Sequence, residues 1–221
     1  MVKLLLCWSG GKDCALALHE LVREGEYSVA GILTTVTDDY DRISMHGVRT
    51  PLLEKQADSL NLPLEKVFIR RNASNEEYEE RMSDVLGRYK MRGIRTVAFG
   101  DIFLEDLRSY REQKLRGLDM HALFPLWKND TGALARHFIE LGFRAIVSCV
   151  DTQFLDAGFT GREFDGSFLD DLPSMVDTCG ENGEFHTFVY DGPIFRDKIR
   201  FSKGEIVLRD ERFSFCDLLP E

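Results

Sequence analysis

Leu4-Leu5-Leu6-Cys7-Trp8-Ser9-Gly10-Gly11-Lys12-Asp13-Cys14 decides how this chain folds. Val2–Trp8 is an almost unbroken apolar run, which suits a strand buried on both faces of a parallel sheet. From Cys14, the residues Ala17, Leu18, Leu21 and Val22 make one apolar helical stripe, leaving Lys12, His19, Glu20 and Arg23 for solvent. Only Ser9–Asp13 separate strand from stripe. Two adjacent glycines remove Cβ atoms where the backbone must turn, so their N–H groups can face outward at the positive end of the helix dipole. That arrangement makes an anion site, to which Ser9 adds a hydroxyl and Lys12 a charge. Asp13 can cap the helix or meet a magnesium ion carried by a polyphosphate. An ordinary turn would also use glycine and a capping Asp. Ser9 and Lys12 flanking the pair at the mouth of a buried first strand favour the ligand reading.

The loop is neither G-x-x-x-x-G-K-[ST] nor G-x-G-x-x-G. It resembles the Ser-Gly-Gly-x-Asp-Ser pyrophosphate loop of the N-type ATP pyrophosphatases, with Cys14 in the place of the last Ser. That resemblance implies cleavage of ATP between the α and β phosphates.

Composition narrows the remainder. The chain has 221 residues, 43% hydrophobic and 30% charged, as expected for a water-soluble globular protein of one large or two modest domains. A formal charge of -10 argues against a nucleic-acid partner. The 5 cysteines include no C-x-x-C pair, so neither a disulfide framework nor a zinc knuckle is indicated, and a reducing, cytoplasmic compartment is expected. No signal-peptide pattern opens the chain and no long apolar run suggests a membrane span.

Along the chain, strands are expected at Tyr27–Thr37, Leu64–Ile69 and Thr96–Gly100, with helices over about Thr50–Leu60, Glu76–Lys90 and Glu105–Arg116. This alternation implies right-handed crossovers and an α/β fold, a doubly wound parallel five-stranded sheet. Thr34 and Thr35 fall near the C-terminal end of the second strand. Asp38–Arg42 is expected to be a polar loop, and Ser44-Met45-His46-Gly47 places His46 at the same sheet edge as Ser9–Asp13. If strand order reverses between the first and fourth strands, Gly100 and Asp101 face the loop across the crevice. Asp101 then serves ATP, magnesium or substrate, unless it simply caps the next helix.

Asn129-Asp130-Thr131 supplies caps for a helix bearing Leu134 and Phe138, and Arg144–Val150 reads as a strand. Asp151–Asp177 is rich in glycine and acids and predicts loops and short helices. A boundary is placed near Leu126, giving an ATP-binding domain over 1–125 and a smaller α+β domain over 126–221. In the second domain, Cys179-Gly180-Glu181-Asn182-Gly183-Glu184-Phe185-His186-Thr187 begins with a turn. Glu184–Tyr190 then alternates as a strand, placing Glu184, His186, Phe188 and Tyr190 on one face. Glu181, Glu184, His186 and Thr187 form a compact polar cluster. An acid-rich hairpin without a ligand would look similar, and one His with two Glu is weak evidence for a metal.

Taken together, Ser9–Asp13, Gly100-Asp101-Ile102, Pro125-Leu126-Trp127 and Cys179–Thr187 resemble the diphthine-ammonia ligase family, in order and across nearly the whole chain. The resemblance implies a fold of the adenine nucleotide alpha hydrolase type, with ATP and Mg2+ as cofactors. It also implies an AMP-forming ligase that adenylates a carboxylate and adds ammonium. The acceptor implied is diphthine, borne by a protein, and a small molecule, for example in corrinoid salvage, is the alternative. The chain departs from the family at Asn182, where Gly is frequent, and at His186, where Glu is typical.

On this reading ATP is held by Ser9, Gly10, Gly11, Lys12, Asp13, Cys14, Thr34, Thr35 and Gly100, and magnesium by Asp13 and Asp101. The acceptor is held by His46, Arg108, Arg111, Glu181, Gly183, Glu184 and Thr187. Catalysis is assigned to Lys12, Asp101, Glu181, Glu184 and His186. A non-catalytic module that binds ATP or AMP is the competing reading. A tRNA-adenylating enzyme ranks last because of the acidic charge. Neither nucleic acid nor membrane is expected as a partner, and a homodimer is left open.

Overall fold

The computed structural model describes residues 1–38, 42–43, 46–71 and 73–221. The expected loop positions 39–41 and 44–45 lie outside the described residues.

The first strand, β1 (Val2–Cys7), sits at the centre of a six-stranded sheet. Parallel neighbours are β2 (Tyr27–Thr37), β4 (Leu64–Ile69), β5 (Thr96–Ala98) and β6 (His121–Leu123), in the spatial order β4-β2-β1-β5-β6. A two-residue strand, β3 (Arg42–Ile43), adds antiparallel pairing at the far end of β2, so the sheet is mixed rather than purely parallel. Order reverses between β1 and β5, which is where such folds open a crevice.

Alternation along β1 shows why the sheet is covered on both sides. Leu4 and Leu6 pack on one face with α1 (Lys12–Glu24) and α2 (Thr50–Leu60). Leu5 packs on the other with α3 (Asn75–Met91) and α4 (Glu105–Gly117). Gly25 in the left-handed region ends α1, and Asn61 does the same for α2.

Beyond α5 (Thr131–Glu140), capped by Asp130 on the Ala133 N–H, the chain builds a second, antiparallel sheet. It comprises β7 (Arg144–Asp151), β8 (Phe185–Asp191), β9 (Phe201–Arg209) and β10 (Phe213–Pro220), in the order β8-β7-β10-β9. Between β7 and β8 lie a short 3-10 turn and α6 (Gly166–Asp171), as the glycine-rich composition predicts. β9 and β10 form a hairpin turned by Asp210 and Glu211, both left-handed.

The core is shared by both sheets: Leu4, Leu16 and Leu52 join one apolar cluster with Phe138, Val147 and Phe188. Packing between two layers corrects two expectations for α1. Lys12 is buried rather than solvated, and Val22 is exposed while Ala15 and Leu16 are covered. No helix among the described residues is long and apolar enough to cross a membrane.

Candidate functional site

A cleft of about 540 Å³ opens where β1 and β5 diverge. Its floor is the loop after β1. Gly10 adopts φ +78, open to glycine without strain, and a Cβ there would sit 2.9 Å from Gln56 Oε1. At Gly11 the constraint is space: a Cβ would come within 3.2 Å of the Thr187 carbonyl oxygen and of His46 Cε1. Ser9 Oγ accepts the Gly11 N–H at 3.3 Å, and the Cys14 thiol donates to the Gly11 carbonyl at 3.0 Å. Cys14 thereby does the local work of a hydroxyl. Burial pushes its thiol up to about 11, so it is not a ready nucleophile.

The loop is supported from beneath by a residue absent from the sequence-based site, Gln56. Fully buried on α2, it accepts from Trp8 Nε1 at 2.9 Å and donates to the carbonyls of Gly10 and Val189 at 3.1 and 2.6 Å. A glutamine in the apolar register of Leu52, Leu53, Ala57 and Leu60 was the signal available for it. Val189 completes the support by donating its N–H to the Gly10 carbonyl at 2.9 Å.

The Cys179–Thr187 segment reaches the same loop. Lys12 donates its backbone N–H to Thr187 Oγ1 at 3.0 Å and its ammonium to the Cys179 carbonyl and, at 2.8 Å, to Asp13 Oδ2. Burial works against the Lys12 charge, but Asp13 and, further off, Glu181 hold its pKa above the ordinary lysine value. Burial, with Asp177 and Asp101 nearby, pushes the Asp13 carboxyl up despite Lys12. Asp13 caps nothing: Gly11 is the N-cap of α1 and makes no side-chain bond.

Gly100 lies directly across from the loop, and a Cβ on it would meet the Asp13 carbonyl carbon and the Cys14 nitrogen at 2.9 Å. Asp101 accepts from Arg111 Nη2 at 3.1 Å, and its Oδ2 lies 2.6 Å from Arg111 Nε, an ion pair without hydrogen-bond alignment. It does not cap α4, whose N-cap is Leu104. Arg111 is steadied further by the Phe99 ring, 4.3 Å from its guanidinium carbon.

Glu181 bridges the two sheets by accepting the Ile102 N–H at 2.7 Å. Burial pushes its carboxyl up to about 7, opposed by the Ile102 bond and aided by Asp13. His46 and His186 stack at 4.5 Å between ring centroids on the cleft wall. Burial, assisted by Lys12, brings His186 down to about 4, and burial together with His186 holds His46 well below the ordinary histidine range. Thr34 and Thr35 also line the cleft, Thr34 with its hydroxyl bonded to the Trp8 carbonyl at 2.7 Å.

Three expected site residues lie off the cleft. Gly10 sits behind it. Arg108 lies over the Trp127 and Phe124 rings and pairs with Glu112 at 2.6 Å. Glu184 is buried and shapes the loop, accepting from the backbone of Asp177 and Asn182, each at 3.0 Å. Asp177, which the sequence did not single out, does the same for the N–H groups of Cys179 and Glu181. Asn182 is not left-handed. Gly180 and Gly183 are, while Asn182 donates its side chain to Glu184 at 2.9 Å. Glu184, His186, Phe188 and Tyr190 do not follow one alternation, because Glu184 lies before β8 and turns into its own loop and a register shift between Arg144 and Ala145 leaves Tyr190 without an opposite number; His186 and Thr187 both line the cleft.

A doubly wound α/β enzyme fold, with the Ser9–Asp13 loop closed over by a second sheet, is thereby defined. The chain belongs to the diphthamide synthase family: the family's N-terminal domain matches residues 2–122 and its C-terminal domain residues 130–218. Among known proteins it is similar to the diphthine–ammonia ligase of Mus musculus, 27% identical over 90% of this chain and 83% of the relative. The Homo sapiens and Danio rerio ligases are 26% and 25% identical, over 90% and 92% of this chain and 83% and 88% of theirs. A solved structure, the U34-tRNA thiolase NcsA from Methanococcus maripaludis with its [4Fe-4S] cluster, is similar over 64% of this chain and 57% of that one, with 18% identity and a TM-score of 0.37.

Proposed function

We propose that this protein is an ATP-dependent carboxylate–ammonia ligase acting through an acyl-adenylate. The observation that supports this best is the meeting of the two family motifs in one cleft, where Lys12 bonds both Thr187 and the Cys179 carbonyl. In this reading residues 1–125 hold the nucleotide and 126–221 the acceptor. The acceptor carboxylate attacks the α-phosphorus, and the electron pair of the broken P–O bond leaves with pyrophosphate. Lys12, which would exchange the Cys179 carbonyl for phosphate oxygens, and the backbone of Ser9–Lys12 stabilise the charge gathering there. Arg111, immobilised by Asp101 and Phe99, suits an α-phosphate or acyl carboxylate better than the more distant Arg108.

Among the described residues no group of three His, Cys, Asp or Glu side chains is placed to hold a metal by itself. Asp13 and Asp101 fit a magnesium ion that arrives with the polyphosphate, since such ions take one or two carboxylates and keep phosphate and water ligands. Ammonia then displaces AMP. Diphthine, named for the relatives, is the first acceptor to offer, and a small carboxylic acid the second. Cytoplasmic residence and action without nucleic acid belong to the same reading.

The test offers Mg-ATP and ammonium with two acceptors in turn: an elongation factor bearing diphthine, and a small-molecule extract. AMP and pyrophosphate are expected in equal amounts with one of them, falling at least 100-fold in Lys12→Ala. Tight nucleotide binding with no pyrophosphate from either acceptor would leave the non-catalytic reading standing.

A further inference from the structure

Making an amide from ammonium and an acyl-adenylate releases two protons. One must leave NH4+ to free its lone pair. The other leaves the same nitrogen as the C–N bond forms and the C–O bond to AMP breaks, its electron pair departing with AMP. The cleft therefore needs groups that accept N–H bonds and orient the nitrogen lone pair toward the acyl carbon.

His46 and His186 are two half-buried imidazoles in contact, with ring centroids 4.5 Å apart and planes tilted by 40°. They come from different halves of the molecule and flank Gly11 and Lys12. The Thr187 carbonyl and the His46 ring meet over Gly11, each 3.2 Å from where its Cβ would be. His46 Nδ1 is buried and has no hydrogen-bond partner among the described residues. With the hydrogen on Nε2, a neutral imidazole presents its lone pair at Nδ1. An unmet buried acceptor is costly unless a ligand brings a donor to it.

The pair is also deliberately set. Val147 pairs with Thr187 and Cys149 with His186, so Ser148 is the extra residue of a β-bulge with no opposite number. Its hydroxyl is 3.3 Å from the His46 carbonyl and 3.4 Å from the His186 carbonyl, one donor shared between the two histidine backbones. On the far side Arg42 bonds the Gly47 carbonyl at 2.7 Å, and Asp217 takes both Arg42 and Arg49. Nothing in these contacts serves the nucleotide.

We infer that the His46–His186 pair is the ammonium subsite, with His46 Nδ1 accepting one N–H of the nucleophile, His186 a second, and Ser148 the positioning residue for both rings. The two neutral rings orient the nitrogen by hydrogen bonds, and the protons released as the amide forms pass to solvent. The inference deepens the ligase reading and rests on it. It assigns the nucleophile to the part of the cleft lined by His46 and His186 and demands N–H donors, so potassium, which carries the same charge without hydrogens, offers no hydrogen bond to Nδ1.

Full-length protein labelled with 15N at its 5 histidines, saturated with magnesium and non-cleavable α,β-methylene ATP, is titrated with ammonium chloride against potassium chloride at fixed ionic strength. Imidazole nitrogen signals are expected to shift for two rings with ammonium and not with potassium. Those rings are identified by their absence in His46→Gln and His186→Gln. Ser148→Ala is expected to need at least tenfold more ammonium for the same shift while binding the nucleotide analogue normally. Should Ser148→Ala fail to fold, His46→Gln carries the test through loss of the ammonium response at His186. No shift at either ring, or an equal shift with potassium, overturns the subsite, and an unchanged Ser148→Ala titration overturns the positioning role. The readout needs neither acceptor nor turnover, whereas the ligase reading stands on AMP and pyrophosphate release, so the two fail separately.

Discussion

Gln56 carries more of the site than any residue that touches the cleft. Its three hydrogen bonds join the end of β1, the anion loop and β8, all without access to water. Gln56→Leu would keep the volume but strand the Trp8 N–H and take the amide from the Val189 carbonyl, while the Gly10 carbonyl keeps the Val189 N–H. Each buried polar group left unpaired costs about 1–3 kcal/mol, so a loss of roughly 2 kcal/mol or more is expected in denaturant melts, with nucleotide binding weakened in parallel. Asp217 makes a different prediction. Its hydrogen bonds to Arg49 and then Arg42 hold its carboxyl down to about 2, against burial that opposes them. A depressed carboxylate stabilises the native state above its unfolded value of 3.8, and that stabilisation is lost as pH falls toward 2. Asp217→Asn is therefore expected to cost about 1–2 kcal/mol at pH 7, allowing for solvent screening, and to match the parent protein near pH 2 in melts across that range.

At the scale of elements, the crevice depends on how closely two loops approach. A Cβ on Gly100 would lie 2.9 Å from backbone atoms of Asp13 and Cys14, which begin α1 and cannot swing aside as a side chain tip can. Gly100→Ala should push β5 away from the anion loop, costing about 1–3 kcal/mol of stability by overpacking. The affinity for ATP is expected to fall at least tenfold in calorimetry, while Gly87→Ala, where a Cβ meets nothing within 4 Å, leaves it unchanged. The loop Asp177–Glu184 is an element of the same kind, a turn in which Asp177 and Glu184 face inward to its own N–H groups while Glu181 reaches across to the Ile102 N–H.

At the scale of the molecule, one apolar cluster runs from β1 through α1 and α5 to β8, so the first half closes a core by itself only on the α3–α4 face of its sheet and needs the second half to cover the other. Fluorescence of buried Trp8 and far-UV circular dichroism are expected to report one coincident unfolding transition, and residues 1–125 made alone are expected to aggregate, with the α1 face uncovered. Two separated transitions would show the halves to be independent. What the amino-acid sequence by itself determined was the local part: the buried first strand, the glycine turn into α1, the strand–helix rhythm and the two motif segments. These are written in hydrophobic period and in backbone demands at single positions such as Gly10. Only the tertiary structure decided that Lys12 is buried under the second sheet, that Glu184 and Asp177 shape a loop, that Asp101 is taken by Arg111, and that His46 meets His186. Side-chain roles of that sort depend on which distant segment arrives opposite, and the one-residue bulge at Ser148 in β7, which sets its hydroxyl between the His46 and His186 carbonyls, is invisible to alternation counting.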